Sequence, residues 1–185
     1  MLILIGESGS GKSTIETILK ENYDYCKIVT YTTRSPRNGE INGVDYNFIS
    51  PEEFLALKDS GFFVETATYN GWHYGTAKQD CTDDKIAILT PHGFRQVLRY
   101  AQQNNDLNII SFYIRVPRKD RLIRILKRGD NIEEAYRRNL SDVGMFDGVE
   151  DEVNYVIDGT KVARFIANRI NSLYINAVNA YKTNI

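Results

Sequence analysis

Nine residues near the amino terminus combine glycines, hydroxyls and a lysine at a spacing that binds phosphate. The stretch GESGSGKST fits the pattern G-x-x-x-x-G-K-[ST] and comprises Gly6, Glu7, Ser8, Gly9, Ser10, Gly11, Lys12, Ser13 and Thr14. Backbone N–H groups of such a loop point inward and surround an anion, helped by the positive end of the following helix. We expect Lys12 to reach the terminal phosphates of a nucleoside triphosphate and the Ser13 hydroxyl to ligate magnesium. An ordinary Gly/Ser turn is the alternative, but an apolar strand before the motif and a helical pattern after it favour the phosphate loop.

Two arginines three residues apart form a second candidate phosphate site. Arg34 and Arg37 lie in TTRSPRNGEINGVDYNF, residues 32–48, and flank a Ser-Pro pair that should stiffen the turn. Guanidinium groups match phosphate oxygens in bidentate geometry, so a close pair suits a dianionic phosphate. Tyr46 offers a phenolic donor nearby. The competing interpretation is a solvated basic loop.

A single carboxylate interrupts the apolar stretch FFVETATYNGWHYGT, residues 62–76. An unpaired carboxylate is costly in an apolar strand, so Glu65 needs a partner. The pairing edge of guanine carries N1–H and an exocyclic amine, two adjacent donors that one carboxylate can accept, whereas adenine presents no such pair. A structural Glu–Arg ion pair is the alternative.

Positive charge concentrates in PRKDRLIRILKRGDNIEEAYRRN, residues 117–139. Three arginines at i, i+3 and i+7 lie on one face of a predicted helix that Gly129 should end: Arg121, Arg124 and Arg128. Like charges on one face repel unless an anion sits among them, and phosphoryl transfer places such charge on the transferred group. The alternative is a solvated basic face paired with Asp120 and Asp130.

Apolar runs and helical patterns alternate along the rest of the chain. Strands are predicted at 2–5, 26–31, 86–89, 109–114 and 153–157, and helices at 13–20, 51–58, 93–103, 118–127, 132–140 and 161–181. This alternation predicts a parallel sheet covered on both faces, with ligands at the carboxyl ends of its strands. Residues 32–76, rich in Tyr, Phe, Gly and Asn, break the rhythm and predict a small mixed insertion.

Composition excludes several other classes of protein. A formal net charge of −1 provides no basic field for nucleic acid. No apolar run approaches the ~20 residues of a membrane span. Cys26 and Cys81 have no metal-binding spacing, and we interpret both as reduced thiols of a cytoplasmic protein.

In this order, the segments GESGSGKST, TTRSPRNGEINGVDYNF, GFFVE, YGT and RILKRGD resemble the guanylate kinase family over most of the chain. The resemblance implies an α/β fold: a P-loop NTPase core with a parallel sheet flanked by helices, an inserted mixed α/β nucleotide-monophosphate-binding subdomain and a small helical lid. It implies one domain, with the core at 1–31, 77–116 and 141–185, the insertion at 32–76 and the lid at 117–140.

The same resemblance implies an activity and residue roles. The family transfers the terminal phosphoryl of ATP to GMP, or dGMP, with Mg, in cytoplasmic purine nucleotide metabolism, and we expect a monomer or homodimer. Residues matching those that hold the GMP phosphate are Arg34, Arg37, Tyr46 and Tyr74. Residues matching those at the guanine base are Glu65, Thr76 and Thr30. Residues expected to stabilise the transferred charge are Lys12, Arg34, Arg124 and Arg128.

The chain departs from the family pattern at three places. After the strand IAIL it has Thr90, Pro91 and His92 where an acidic pair in L-D-x-D is usual, so magnesium must depend on Ser13, phosphates and water. The family has a further lid arginine, which is expected near Arg137 or Arg138, but the matching position in this chain is Asn139. An adenine-side Asn is replaced by Asp158 or Gly159. A kinase for another base, a guanylate-kinase-like binding module and an ATPase or GTPase switch therefore stay as alternatives.

Overall fold

Nine strands and six α-helices are formed by the residues that the computed structural model describes, which are 1–37, 39–69, 71–104, 107–129 and 132–183. The strands are β1 (Leu2–Ile5), β2 (Cys26–Lys27), β3 (Tyr31–Thr32), β4 (Asn47–Phe48), β5 (Phe63–Tyr69), β6 (Trp72–Ala77), β7 (Lys85–Ile88), β8 (Ile110–Arg115) and β9 (Tyr155–Asp158). The helices are α1 (Lys12–Tyr23), α2 (Pro51–Asp59), α3 (Pro91–Gln103), α4 (Arg118–Lys127), α5 (Ile132–Ser141) and α6 (Ala163–Thr183). Short 3₁₀ turns span Lys78–Asp80 and Val149–Asp151.

The central sheet has the strand order β2-β7-β1-β8-β9, and all its pairings are parallel. β1 lies in the middle and is buried along its whole length. One face of the sheet packs on α1 and α6 through residues such as Leu19 and Ile170, and the other packs on α3 through Phe94 and Val97. Burial on both faces explains why the sequence of β1 is a continuous apolar run rather than an alternating one.

A second, mixed sheet carries the order β4-β3-β6-β5. β3 pairs parallel with β4, while β6 runs antiparallel to both β3 and β5. The ring of Phe54 on α2 stacks on Phe63 at 4.7 Å and on His73 at 5.2 Å between centroids. The Gln96 side chain of α3 bonds both the N–H and the C=O of Thr66, which ties this sheet to the central one.

The predicted fold class is confirmed, because a helix-flanked parallel sheet is accompanied by a mixed one. The strand predicted at 26–31 is wrong as one unit: Cys26–Lys27 pairs in the central sheet, whereas Tyr31 pairs in the second. The Asn47 N–H donates to the Thr30 carbonyl, so the chain has already changed sheets there. No described helix is both long and apolar enough to cross a membrane.

Candidate active site

A cavity of about 770 Å³ joins the phosphate loop to the second sheet. Nine of the residues to which the sequence analysis gave a binding role line it: Gly6, Ser8, Lys12, Thr30, Arg34, Arg37, Tyr46, Glu65 and Tyr74. These residues come from the loop after β1 and from the segment 30–74. The structure therefore brings the two predicted phosphate sites to one cleft.

The phosphate loop takes the backbone conformation that its glycines permit. Gly9 has φ of 80° and Gly11 has φ of 96°, in the left-handed region that other residues rarely adopt. A Cβ on Gly9 would also lie 2.7 Å from the Arg121 carbonyl oxygen. α1 begins at Lys12, directly after the loop, so its N–H groups and the loop N–H groups can act on the same anion.

Lys12 lies along this loop. Its ammonium donates hydrogen bonds to the carbonyl oxygens of Gly6 and Glu7 and to the Ser10 hydroxyl, the last two at 3.0 and 3.4 Å. Burial lowers the pKa of Lys12 to about 8, against the opposing carboxylates of Asp142 and Glu7. The charged group is therefore held at the loop by protein oxygens, which phosphate oxygens could replace.

The second predicted phosphate site is organised by a carboxylate that the sequence analysis missed. Arg34 is buried and donates twice to Glu40, at 2.8 and 2.9 Å, and Glu40 also accepts from the Arg37 N–H at 2.7 Å. The Arg34 guanidinium holds the pKa of Glu40 below its ordinary value. Arg34 lies over the Tyr46 ring at 5.3 Å, and the Tyr46 and Tyr74 rings are 6.2 Å apart. The sequence signal available for Glu40 was its place two positions before the Asn42-Gly43 pair.

Glu65 is a buried carboxylate with a single neutral partner. It is 5% exposed, and its Oε1 accepts a hydrogen bond of 2.7 Å from the Thr76 hydroxyl, behind the cavity. Burial raises the pKa of Glu65, while the Thr76 bond opposes this rise. Within the described parts of the chain Glu65 forms no ion pair, so the alternative of a Glu–Arg pair is wrong for this residue. One carboxylate edge remains for a ligand.

Several predicted residues lie outside the cavity lining. The Glu7 side chain turns to the far side of the loop, where it accepts from the Tyr113 hydroxyl at 3.1 Å. Ser13 and Thr14 lie exposed in the first turn of α1. Arg124 lies against the outside of the loop, donating to the carbonyl oxygens of Ser10 and Gly159, at 3.2 and 2.8 Å.

The arginines on the predicted face of α4 differ in how deeply they are buried. Arg121 is buried, with Nη2 3.3 Å from the Glu7 carboxylate and Nη1 donating to the Ser8 carbonyl at 3.4 Å. It therefore anchors α4 to the phosphate loop and is not part of a solvated face. Arg128 caps the carboxyl end of α4, and Gly129 follows with φ of 77°, as predicted. Asp130, named as an alternative partner, lies outside the described residues.

The segment LTPHG begins a helix. The Thr90 hydroxyl accepts from the Gly93 N–H at 3.2 Å and caps α3, and Pro91 takes the first helical position. Thr90 and His92 also line the cavity. Across the described residues no three His, Cys, Asp or Glu side chains group as a metal site. Of the cavity-lining residues, the carboxylates are Glu65 and Asp142.

The end of α5 contains two residues that the sequence analysis did not assign. Arg138 lines the cavity, and so does Asp142, which follows the helix. Asn139 is buried and accepts from Arg118 Nε at 2.8 Å, in a second cavity of about 470 Å³. No motif pointed to Asp142, whereas the family pattern had already placed a lid arginine near Arg137 or Arg138.

The chain is similar to guanylate kinases by sequence and by fold. The family model described as guanylate kinase matches residues 1–168. A guanylate kinase of Nitratidesulfovibrio vulgaris is 37% identical over 150 residues, covering 77% of this chain and 70% of that protein. One of Mycoplasma capricolum is 31% identical over 192 residues, covering 99% of this chain but 63% of that protein. The crystal structure of guanylate kinase from Anaplasma phagocytophilum has a TM-score of 0.68 at 21% identity, covering 96% of this chain and 85% of that one.

Proposed function

Because this chain belongs to the guanylate kinase family, we propose that it transfers the terminal phosphoryl group of ATP to GMP or dGMP, giving ADP and GDP or dGDP. One observation carries the proposal: the phosphate loop, the Arg34–Tyr46 group and the Glu65 carboxylate line one cavity. Two phosphate sites and a carboxylate that can accept from guanine are what a phosphoryl transfer between these nucleotides requires.

Each substrate has its own set of donors and acceptors. The triphosphate lies on the loop from Gly6 to Thr14. This loop belongs to the core, which comprises residues 1–31, 77–116 and 141–185. The acceptor phosphate binds Arg34, Arg37, Tyr46 and Tyr74 of the 32–76 insertion. The guanine base gives its N1–H and amine protons to Glu65, beside Thr76 and Thr30. A site whose buried acceptor would be left unpaired rejects the wrong base by several kcal/mol.

In the chemical step an acceptor phosphate oxygen forms a bond to the terminal phosphorus of ATP while the bond to the ADP oxygen breaks. A phosphate oxygen is already a nucleophile, so no general base is assigned. Lys12 and Arg34 would neutralise the transferred charge from inside the cavity. Arg124 and Arg128 of the 117–140 lid would act with them, and we add Arg138 because it lines the cavity.

Magnesium fits this donor set as an ion held mainly by substrate. Mg²⁺ keeps several waters and binds substrate phosphates with few protein ligands, so it does not require a cluster of three or more carboxylates, and the described residues contain none. Ser13 would supply the protein ligand. The ion would neutralise phosphate charge. We place the enzyme in cytoplasmic purine nucleotide metabolism, as a monomer or homodimer acting without nucleic acid or membrane.

ADP formation with a panel of acceptors tests the proposal. GMP, dGMP, AMP, UMP and dTMP are each supplied with ATP and Mg, and we expect GMP or dGMP to be the fastest, with no ADP in the absence of an acceptor. A faster rate with AMP or dTMP would refute the role given to Glu65 and indicate a kinase for another base. ADP without an acceptor would indicate a hydrolase, and no ADP under any condition a binding module.

A further inference from the structure

Asp142 is hydrogen-bonded to the backbone of the phosphate loop. It is the first residue after α5, and its Oδ2 accepts a hydrogen bond of 2.7 Å from the Ser8 N–H, across 134 positions of the chain. The Asp142 side chain is 12% exposed and lines the cavity beside Lys12. A negatively charged group of the protein is therefore bonded to a main-chain amide of the loop.

Two cations complete the surroundings of this carboxylate. Arg121 Nη1 lies 3.8 Å from Asp142 Oδ2, and the same guanidinium reaches the Ser8 carbonyl. The Asp142 charge also acts on the Lys12 ammonium. A loop amide, a lysine and an arginine together are the donors that a phosphate oxygen would use.

We propose that Asp142 is an internal anion of the phosphate loop, which occupies the Ser8 amide in the absence of nucleotide and is displaced when nucleotide phosphates bind. The Ser8 N–H has one hydrogen to donate, and a carboxylate beside it repels an incoming phosphate. Asp142 therefore weakens nucleotide binding by its charge. The inference depends on the proposed function only in that the loop binds ATP.

Displacement of Asp142 also acts on α5. The Asp142 N–H donates to the Arg138 carbonyl at 3.1 Å, so the two residues belong to one helical turn. When the carboxylate leaves the loop, the end of α5 that carries Arg138 loses its bond to the loop. Binding of the donor nucleotide is in this way coupled to the position of the helix that contributes Arg138.

Isothermal titration of ATP and of ADP, each with Mg, into the wild-type protein and two variants tests the inference. Asp142→Asn keeps the shape and an oxygen acceptor but removes the charge, and we expect its Kd for ATP to fall about tenfold or more. Asp147→Asn, the matched control, removes a charge from the same segment, and we expect its Kd to equal that of the wild type. Equal or weaker binding by Asp142→Asn would overturn the inference.

Amide hydrogen exchange at Ser8 provides a second readout that does not depend on charge. In Asp142→Ala we expect faster exchange at Ser8 than in the wild type without nucleotide, and equal exchange with saturating ADP. Unchanged exchange in the nucleotide-free variant would also overturn the inference. If neither the wild type nor any variant bound ATP, the proposed function would be refuted instead. The acceptor assay tests that function separately.

Discussion

Replacing Glu65 by Gln should make the protein more stable and less active. The carboxylate is 5% exposed and has one neutral hydroxyl as partner, so its ionised form is poorly compensated in the ligand-free protein. Gln has the same shape and keeps an oxygen for the Thr76 hydroxyl. We expect the free energy of unfolding at neutral pH to rise by about 1 kcal/mol, which is within the range of single stabilising substitutions that reduce function.

The loss of activity follows from the base contacts. Gln presents an NH2 group to one guanine donor and an uncharged oxygen to the other, so one charge-assisted hydrogen bond is lost and the other is weakened, together by about 3 kcal/mol. A loss of about 3 kcal/mol corresponds to roughly a hundredfold fall in kcat/KM for GMP. Exposed Glu21→Gln, which changes the formal charge equally, should alter neither quantity.

The pH dependence of stability separates this explanation from a general loss of charge. Burial raises the pKa of Glu65 above its ordinary value of 4.5, so the folded protein holds the proton to higher pH than the unfolded chain. The wild type therefore loses stability as pH rises through the raised pKa, and the Gln variant does not. Urea unfolding at acidic and neutral pH should show the stability gain only at neutral pH. A variant that is destabilised at neutral pH, or that retains full kcat/KM for GMP, would refute the reasoning.

Three further outcomes follow from the site. Gly93→Ala would place a Cβ 3.0 Å from Glu65 Oε2, so kcat/KM for GMP should fall about tenfold. The free energy of unfolding, measured in urea, should change by about 1 kcal/mol or less, since Ala favours the helix. Unchanged GMP kinetics would contradict this contact. The kcat/KM for ATP should fall as pH rises above about 8, because the free enzyme then loses the Lys12 proton, and a flat profile to pH 9.5 would contradict this assignment. Arg138→Ala should lower kcat by about 10²-fold and Arg137→Ala should not, since only the former lines the cavity; equal effects would exclude a special role.

The sequence alone was sufficient where function depends on a short, continuous segment. The phosphate loop is such a segment, since its glycines, Lys12 and the start of α1 follow one another directly. The buried strand β1 was predicted with its observed bounds because a continuous apolar run has few other stable environments in a soluble chain. The Arg34–Arg37 pair is also local, and the turn that holds it depends on neighbouring residues.

Contacts between distant segments were decided only by the tertiary structure. Residues 26–31 have one continuous strand pattern, yet they serve two sheets, because pairing partners come from β7 on one side and β6 on the other. The bond between Ser8 and Asp142 has no local signal at all. The helix predicted at 93–103 begins two residues earlier, after Thr90, and only the fold brings this start to the Glu65 carboxylate.

Helical phase shows the same limit at the scale of one residue. Successive positions of an α-helix point about 100° apart, so Arg138 faces the cavity whereas Asn139 is buried against Arg118. The family pattern located this turn but did not assign the cavity-facing position. Local chemistry specified which groups can bind phosphate, and the packing of α5 against the phosphate loop decided which of its side chains reach the site, because orientation depends on the partner surface rather than on the helix itself.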